Sequence, residues 1–245
     1  MKKQLAKLAL TAALWLALTL LACEDKEKKQ TPAETQTAEP AAVAEMQQPS
    51  QEAAAEKVIE VVKGSFTDTR DNKTYKTVKI GTQTWMAENL NYDVPGNDTT
   101  DVCYDNKPDN CQKYGRLYDG ETAKKACPSG WHLPSREEWE ALEATAGGDG
   151  YKYKLKAKSG WMENDGTDEY GFSALPGGKH GYLDPEACED GCEPSFWDAG
   201  SAGRWWSSTG SGGSSYSWYI GLDFEDRDGG YIYEASLRSV RCIKD

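Results

Sequence analysis

Residues 131–142 read WHLPSREEWEAL. The stretch offers a histidine, a run of acids and two tryptophans, so it reads either as catalytic apparatus or as the start of a helix. Ser135 stands three residues before Glu138, the spacing of a capping box. In that device the serine hydroxyl accepts an otherwise unpaired backbone N–H, and the glutamate reaches back to the cap. Trp139, Leu142 and Ala146 follow at i, i+3 and i+7, giving one apolar face. Gly147-Gly148 supply a stop. Glu137, Glu138 and Glu140 fill the first turns, where the helix dipole favours negative charge. His132 has no nucleophile near it in sequence. A docked helix therefore accounts for the whole stretch, without catalysis.

Ahead of this helix, ETAKKA (121–126) predicts a second one, ending at Cys127 before Pro128. Further back, VIEVVKGSFTD and KTYKTVKIGTQTWMAENL space β-branched and aromatic residues as strands with turns between them, so order is expected from about Val58. Downstream, Trp218, Ile220, Leu222 and Phe224 alternate onto one strand face, Asp228-Gly229-Gly230 predicts a turn, and SVRCIKD a final strand. The expected class is α+β: two helices against twisted antiparallel strands, with long loops.

The other end of the chain concerns its address. MKKQLAK is a basic start and LALTAALWLALTLLA an apolar run too short for a convincing span of about 20 residues. LLAC closes it in the pattern of a bacterial lipobox. A lipoprotein signal peptide is expected over 1–22, with Cys23 as the lipidated N-terminus of the mature chain. Residues 23–57 are rich in Glu, Gln, Ala, Pro and Thr with almost no large apolar side chain. Such a segment cannot bury enough surface to fold. It reads as a tether spanning on the order of 30 Å, and the folded domain as 58–245. The expected location is the bacterial envelope, lipid-anchored at the outer membrane and presented at the cell surface.

The chain has 245 residues, with 40 Asp+Glu against 28 Lys+Arg and a net charge of −12. It offers no basic stripe for nucleic acid, so that partner is excluded. Beyond Cys23 come Cys103, Cys111, Cys127, Cys188, Cys192 and Cys242. In an exported chain, six cysteines point to three disulfides, with connectivity open. No C-x-x-C occurs, and His132 and His180 are the only histidines, so no metal or other cofactor is expected. The acidic DFEDRDGG fails the EF-hand template, with Phe224 in the first ligand position and Ala235 in the twelfth. ENDG at 163–166 fails with Trp161 and Phe172.

Six blocks, in order, carry a resemblance: GTQTWMAENLNYD, CYDNKPDNCQKYGRLYD, ACPSGWHLPSREEWEAL, GTDEYGFSALPGG, RWWSST and SVRCIKD. Over about residues 75–245 the chain resembles the Fibrobacter succinogenes major paralogous domain, a bacterial exported domain often carried on lipoproteins. More distantly, two features are similar to the C-type-lectin-like fold shared with formylglycine-generating enzymes. One is a helix ending in cysteine followed by G-x-H-L and a second helix; the other is a cysteine on the last strand. That likeness implies a Cys127–Cys242 pair. The short loops Cys103–Cys111 and Cys188–Cys192 make up the rest of the expected set. The chain departs from calcium lectins, lacking their E-P-N or Q-P-D loop and W-N-D strand; Glu193-Pro194-Ser195 is a partial echo. CEDGC (188–192) reads as a structural disulfide loop rather than a reactive pair.

Aromatic residues remain as candidates for binding. Trp197, Trp205, Trp206, Tyr216, Trp218, Tyr231 and Tyr233 crowd the C-terminal third. Trp206 and Trp218 are expected in the core, while Trp197, Trp205 and Tyr216 are the expected ligand contacts, because flat rings stack on sugar faces or anchor partners. The expected function is a non-enzymatic binding or adhesion module on the membrane, for polysaccharide, envelope glycan or a surface protein. An extracellular enzyme of the formylglycine-generating fold group and a purely structural envelope protein are the alternatives.

Overall fold

A computed structural model describes residues 59–96, 100–163, 165–181, 193–221 and 229–245. The β-branched N-terminal part forms a meander: β1 (Val61–Thr67), β2 (Thr74–Ile80) and β3 (Gln83–Met86), each antiparallel to the next. The first turn is held by Asp68, whose carboxylate accepts the Arg70 Nε and Nη2 hydrogens at 3.0 and 2.7 Å. Short elements follow: β4 (Asp101–Val102), α1 (Pro108–Tyr114), β5 (Leu117–Tyr118), α2 (Gly120–Ala126) and β6 (Trp131–His132). Next come α3 (Arg136–Ala146), α4 (Tyr151–Leu155), β7 (Gly177–Gly181), β8 (Ser195–Ala199), β9 (Gly203–Ser211) and β10 (Ser214–Ile220). The chain closes with β11 (Gly229–Tyr233), β12 (Arg238–Ser239) and β13 (Ile243–Lys244).

Helix α3 starts where the capping box places it. Ser135 accepts the Glu138 N–H, and the Glu138 carboxylate accepts the Ser135 N–H at 2.8 Å. It ends at Gly147, whose φ of 99° lies in the left-handed region that favours glycine. The ETAKKA helix is α2, capped by Asp119, which accepts the Thr122 N–H at 2.7 Å. The expectation of two helices is corrected to four among the described residues. α1 and α4 are short, seven and five residues, with too little length to show a period.

Two sheets result. One runs β1-β2-β3-β13-β6, with antiparallel pairs throughout. The other runs β11-β10-β9-β12-β5-β4, with β7 joined to β9 and β8 to β7. Its β9–β12 and β7–β9 contacts are parallel, which corrects the all-antiparallel expectation. The expected single final strand is two short ones, one in each sheet: Arg238–Ser239 joins the second and Ile243–Lys244 the first. Gly229-Gly230 opens β11 rather than forming a turn. Leu222, Phe224 and Asp228 lie outside the described residues.

The α3 face packs into an aromatic core. Trp139, Leu142 and Ala146 are fully buried. Trp139 stacks on Trp218 with centroids 4.3 Å apart and planes 9° apart. Trp85 lies 4.7 Å from Trp139, and Trp205 5.3 Å from Trp218. A second cluster, with Met86, Leu90, Tyr118, Trp131, Trp206 and Val240, packs around α2. Two disulfides staple the described chain: Cys103–Cys111 and Cys127–Cys242. The second joins the end of α2 to the C-terminal segment across 115 residues. In the chain-entropy picture a closure of that length is worth about 4–5 kcal/mol. Cys188 and Cys192 lie outside the described residues. No helix among the described residues is long and apolar enough to cross a membrane.

Candidate functional site

His132 is held from both sides. Its Nδ1 lies 2.7 Å from Asp245 Oδ1 and its Nε2 2.9 Å from Glu138 Oε1. Burial alone would lower its pKa, but the hydrogen bonds to Asp245 and Glu138 prevail and hold it above the ordinary value. With both ring nitrogens engaged by carboxylates, the imidazole ties the start of α3 to the chain end. Glu138, an acid of the opening stretch, thus serves both the capping box and the histidine.

The aromatic candidates separate by depth. Trp206 and Trp218 are fully buried, as expected. Trp205, expected at the surface, is also fully buried. Its indole N–H donates to Asn89 Oδ1 at 2.7 Å, and its ring belongs to the core around Trp139. The reason is register: Trp218 and Trp205 are direct partners across β10 and β9, so both rings enter the same core. Trp205 is therefore withdrawn as a ligand contact. Trp197 is half-buried, opposite Lys179 in the β7–β8 pair, and its indole N–H donates to the Gly181 carbonyl at 3.0 Å. Tyr216 is mostly buried, but it forms the inner margin of an exposed aromatic strip.

That strip lies on β11. The strand alternates, sending Ile232 into the second cluster and leaving Tyr231 and Tyr233 58% and 65% exposed. Residues i and i+2 of a strand share a face and stand about 6.6 Å apart. Tyr231 pairs with Tyr216 across β10, their rings 5.9 Å apart and nearly perpendicular. The Arg136 guanidinium, at the start of α3, lies 5.0 Å from the Tyr216 ring centre. Among the described residues β11 ends the path of its sheet, so the rings line an edge there. The base beneath is pinned by Glu234, which accepts from Lys124 Nζ and Ser215 Oγ, each at 2.6 Å. The Lys124 bond, then the Ser215 bond, hold the Glu234 carboxyl down at about 2. The arrangement offers two flat apolar faces with hydroxyl tips and a cation alongside. Such a surface suits stacking on sugar rings. The sequence reading placed Tyr231 and Tyr233 only in the aromatic count; the alternation of GGYIY is the unused signal that sets them apart from the buried rings.

A cleft of about 260 Å³ lies elsewhere, lined by Lys73, Tyr75, Glu88, Lys113, Tyr114 and Leu175 among others. Its cationic and acidic side chains are mixed, with no convergent arrangement. No group of three His, Cys, Asp or Glu side chains able to hold a metal occurs among the described residues. At 163–166, Asp165 accepts the Trp161 N–H at 3.1 Å. Trp161 and Phe172, at the first and twelfth positions of the failed template, are buried. The acids of DFEDRDGG lie outside the described residues up to Asp228.

Sequence reasoning missed Arg241. It is fully buried in the terminal SVRCIKD block. Its guanidinium donates to Asn89 Oδ1 at 2.7 and 3.0 Å and to the Phe172 carbonyl at 2.5 Å. A basic residue so near a chain end carries no sequence mark of burial.

No curated protein matches the chain, and no solved structure matches it. The model of the Fibrobacter succinogenes major domain matches residues 78–244, well over half of the chain, and the protein belongs to that family.

Proposed function

We propose that the protein is an exported, lipid-anchored binding module of the C-type-lectin-like kind, and that the tyrosine strip of β11 is its glycan-contacting surface. The observation that carries this reading is the exposure of Tyr231 and Tyr233 on one strand face, beside Tyr216 and Arg136. A folded chain usually spends such rings in its core, as this one spends Trp85, Trp139, Trp205, Trp206 and Trp218. The lectin-like architecture is supported by the Cys127–Cys242 link between α2 and the chain end, followed by the capped α3. Anchoring is supported by LLAC at 20–23 and by the apolar run before it.

The ligand is a polysaccharide or envelope glycan, recognised without calcium. Retention of the soluble domain, residues 58–245, on a panel of insoluble polysaccharides tests this. Specific retention, unchanged by chelator, is expected. No retention on any glycan, or retention abolished by chelation, overturns it. For the anchor, Cys23→Ala should release the protein from the membrane fraction, and unchanged membrane retention would refute lipidation.

A further inference from the structure

The chain buries two arginines near its C-terminus, and they are treated very differently. Arg241 is surrounded by acceptors: Asn89 Oδ1 and the Phe172 carbonyl. Arg238, only 3% exposed, has none among the described residues. Its Nε and Nη1 are buried without a hydrogen-bond partner. Its guanidinium lies over the Trp206 ring at 4.9 Å. A desolvated cation with unmet N–H groups is costly unless something supplies the acceptors.

The groups near Arg238 are cations too. Strand β7 lies beside β9 through the Gly178–Gly203 pair and β12 beside β9 through the Ser239–Trp205 pair, so Lys179, Arg204 and Arg238, each next to a paired residue, stand on neighbouring strands. Arg204 depresses the basicity of Arg238, and both depress that of Lys179. Burial is the larger cause in each case, and it presses Arg238 down to about 9. Among the described residues one carboxylate answers this trio: Asp198 Oδ2 lies 2.7 Å from Arg204 Nη1, a contact not aligned for a hydrogen bond. Lys179 has no ion pair or hydrogen bond among the described residues. Among the described residues, three cations thus face one acid, in a chain of net charge −12.

The fold assembles the trio from three strands. Lys179 comes from β7, Arg204 from β9 and Arg238 from β12. Close approach of β7 and β8 is possible because Gly178 carries no side chain; a Cβ there would lie 2.3 Å from the Trp197 carbonyl. Lys179 and Arg204 are half-buried, while Arg238 is the deep member. Trp197 stands directly opposite Lys179 in the pairing.

We propose that Lys179, Arg204 and Arg238 form a binding site for a compact oxyanion, a carboxylate or phosphoryl group, with the unmet Arg238 N–H groups as its deepest donors. A planar guanidinium presents paired N–H groups that match two oxygens of such an anion. The same chemistry serves the carboxylate of an acidic sugar or a phosphate ester. This site stands apart from the β11 strip and does not depend on it.

The test is calorimetric titration of the full chain in detergent, with inorganic phosphate and with glucuronate as separate arms. Sodium chloride at matched ionic strength is the reference. Saturable one-to-one binding of at least one anion is expected. The arm that binds more tightly tells a phosphoryl source from a sugar acid. Lys179→Met and Arg238→Met should each weaken binding at least tenfold, and Lys158→Met on the exposed surface should leave it unchanged. Lys179→Met keeps the test decisive if the Arg238 variant does not fold. No saturable binding beyond the chloride reference, or parental affinity in Lys179→Met, overturns the proposal. Either result leaves retention on neutral polysaccharide, the test of the β11 strip, unaffected.

Discussion

At Trp205 a single side chain shows what a sequence can and cannot say about depth. A tryptophan in the glycine-bearing stretch GSAGRWW reads as a loop ring, yet pairing of β9 with β10 sends it inward, against Trp218 and Asn89. The physical consequence is testable. Trp205→Ala empties a large buried volume and removes one of the donors to the Asn89 carbonyl oxygen, which keeps those of Arg241, so it should cost about 3–5 kcal/mol. Trp139→Ala should cost about as much. Thermal melts of the two variants check this, and a Trp205→Ala variant melting like the parent would refute the burial. His132 makes a second prediction at this scale. Its pKa is raised in the fold, so its contribution to stability is complete below the ordinary value of 6.5. That contribution is lost as pH rises through the higher folded value. His180, half-buried against Phe196, works the other way, because burial lowers its pKa. The comparison must therefore be with His132→Gln. The stability gap between parent and this variant should shrink as pH rises from below 6.5 through the raised folded value. A gap constant across that range would contradict the ion pairs.

Among the elements, those with their own punctuation were legible. α3 carried a cap, a periodic face and a glycine stop in its sequence, and α2 and the β1–β3 meander carried comparable marks. α1 and α4 did not, being too short to repeat a face. The split of the C-terminal block between two sheets was also hidden. SVRCIKD reads as one strand, but only the tertiary arrangement sends Ser239 to β5 and β9, and Ile243 to β3 and β6. The cap of α3 is the element-scale test. Ser135→Ala removes the acceptor for the Glu138 N–H and leaves that donor without its cap. A loss of about 1 kcal/mol is expected in denaturant unfolding. An unchanged midpoint would mean that the helix start is held by packing and the His132 contacts alone.

For the whole molecule, an α+β domain with cysteine staples was legible after an apolar N-terminal run, and the lectin-like likeness carried the Cys127–Cys242 link. The exposed tyrosine strip was counted in the sequence only within a surplus of aromatic rings. Composition counts rings, and the sheet decides which of them face water: Trp205, Trp206 and Trp218 went to the core and Tyr231 and Tyr233 to an edge. The cation trio could not be read at all, because Lys179, Arg204 and Arg238 are brought together by strands far apart in the chain. The role proposed for the β11 tyrosines is to bind rather than to fold. The most direct measurement pairs retention of Tyr231→Ala/Tyr233→Ala on the best-retained polysaccharide with its melting temperature. Stacking worth on the order of 1 kcal/mol per ring predicts at least a tenfold loss of affinity with a melting temperature close to the parent's. Undiminished retention of the double variant, or a melt as low as that of Trp139→Ala, would contradict the account.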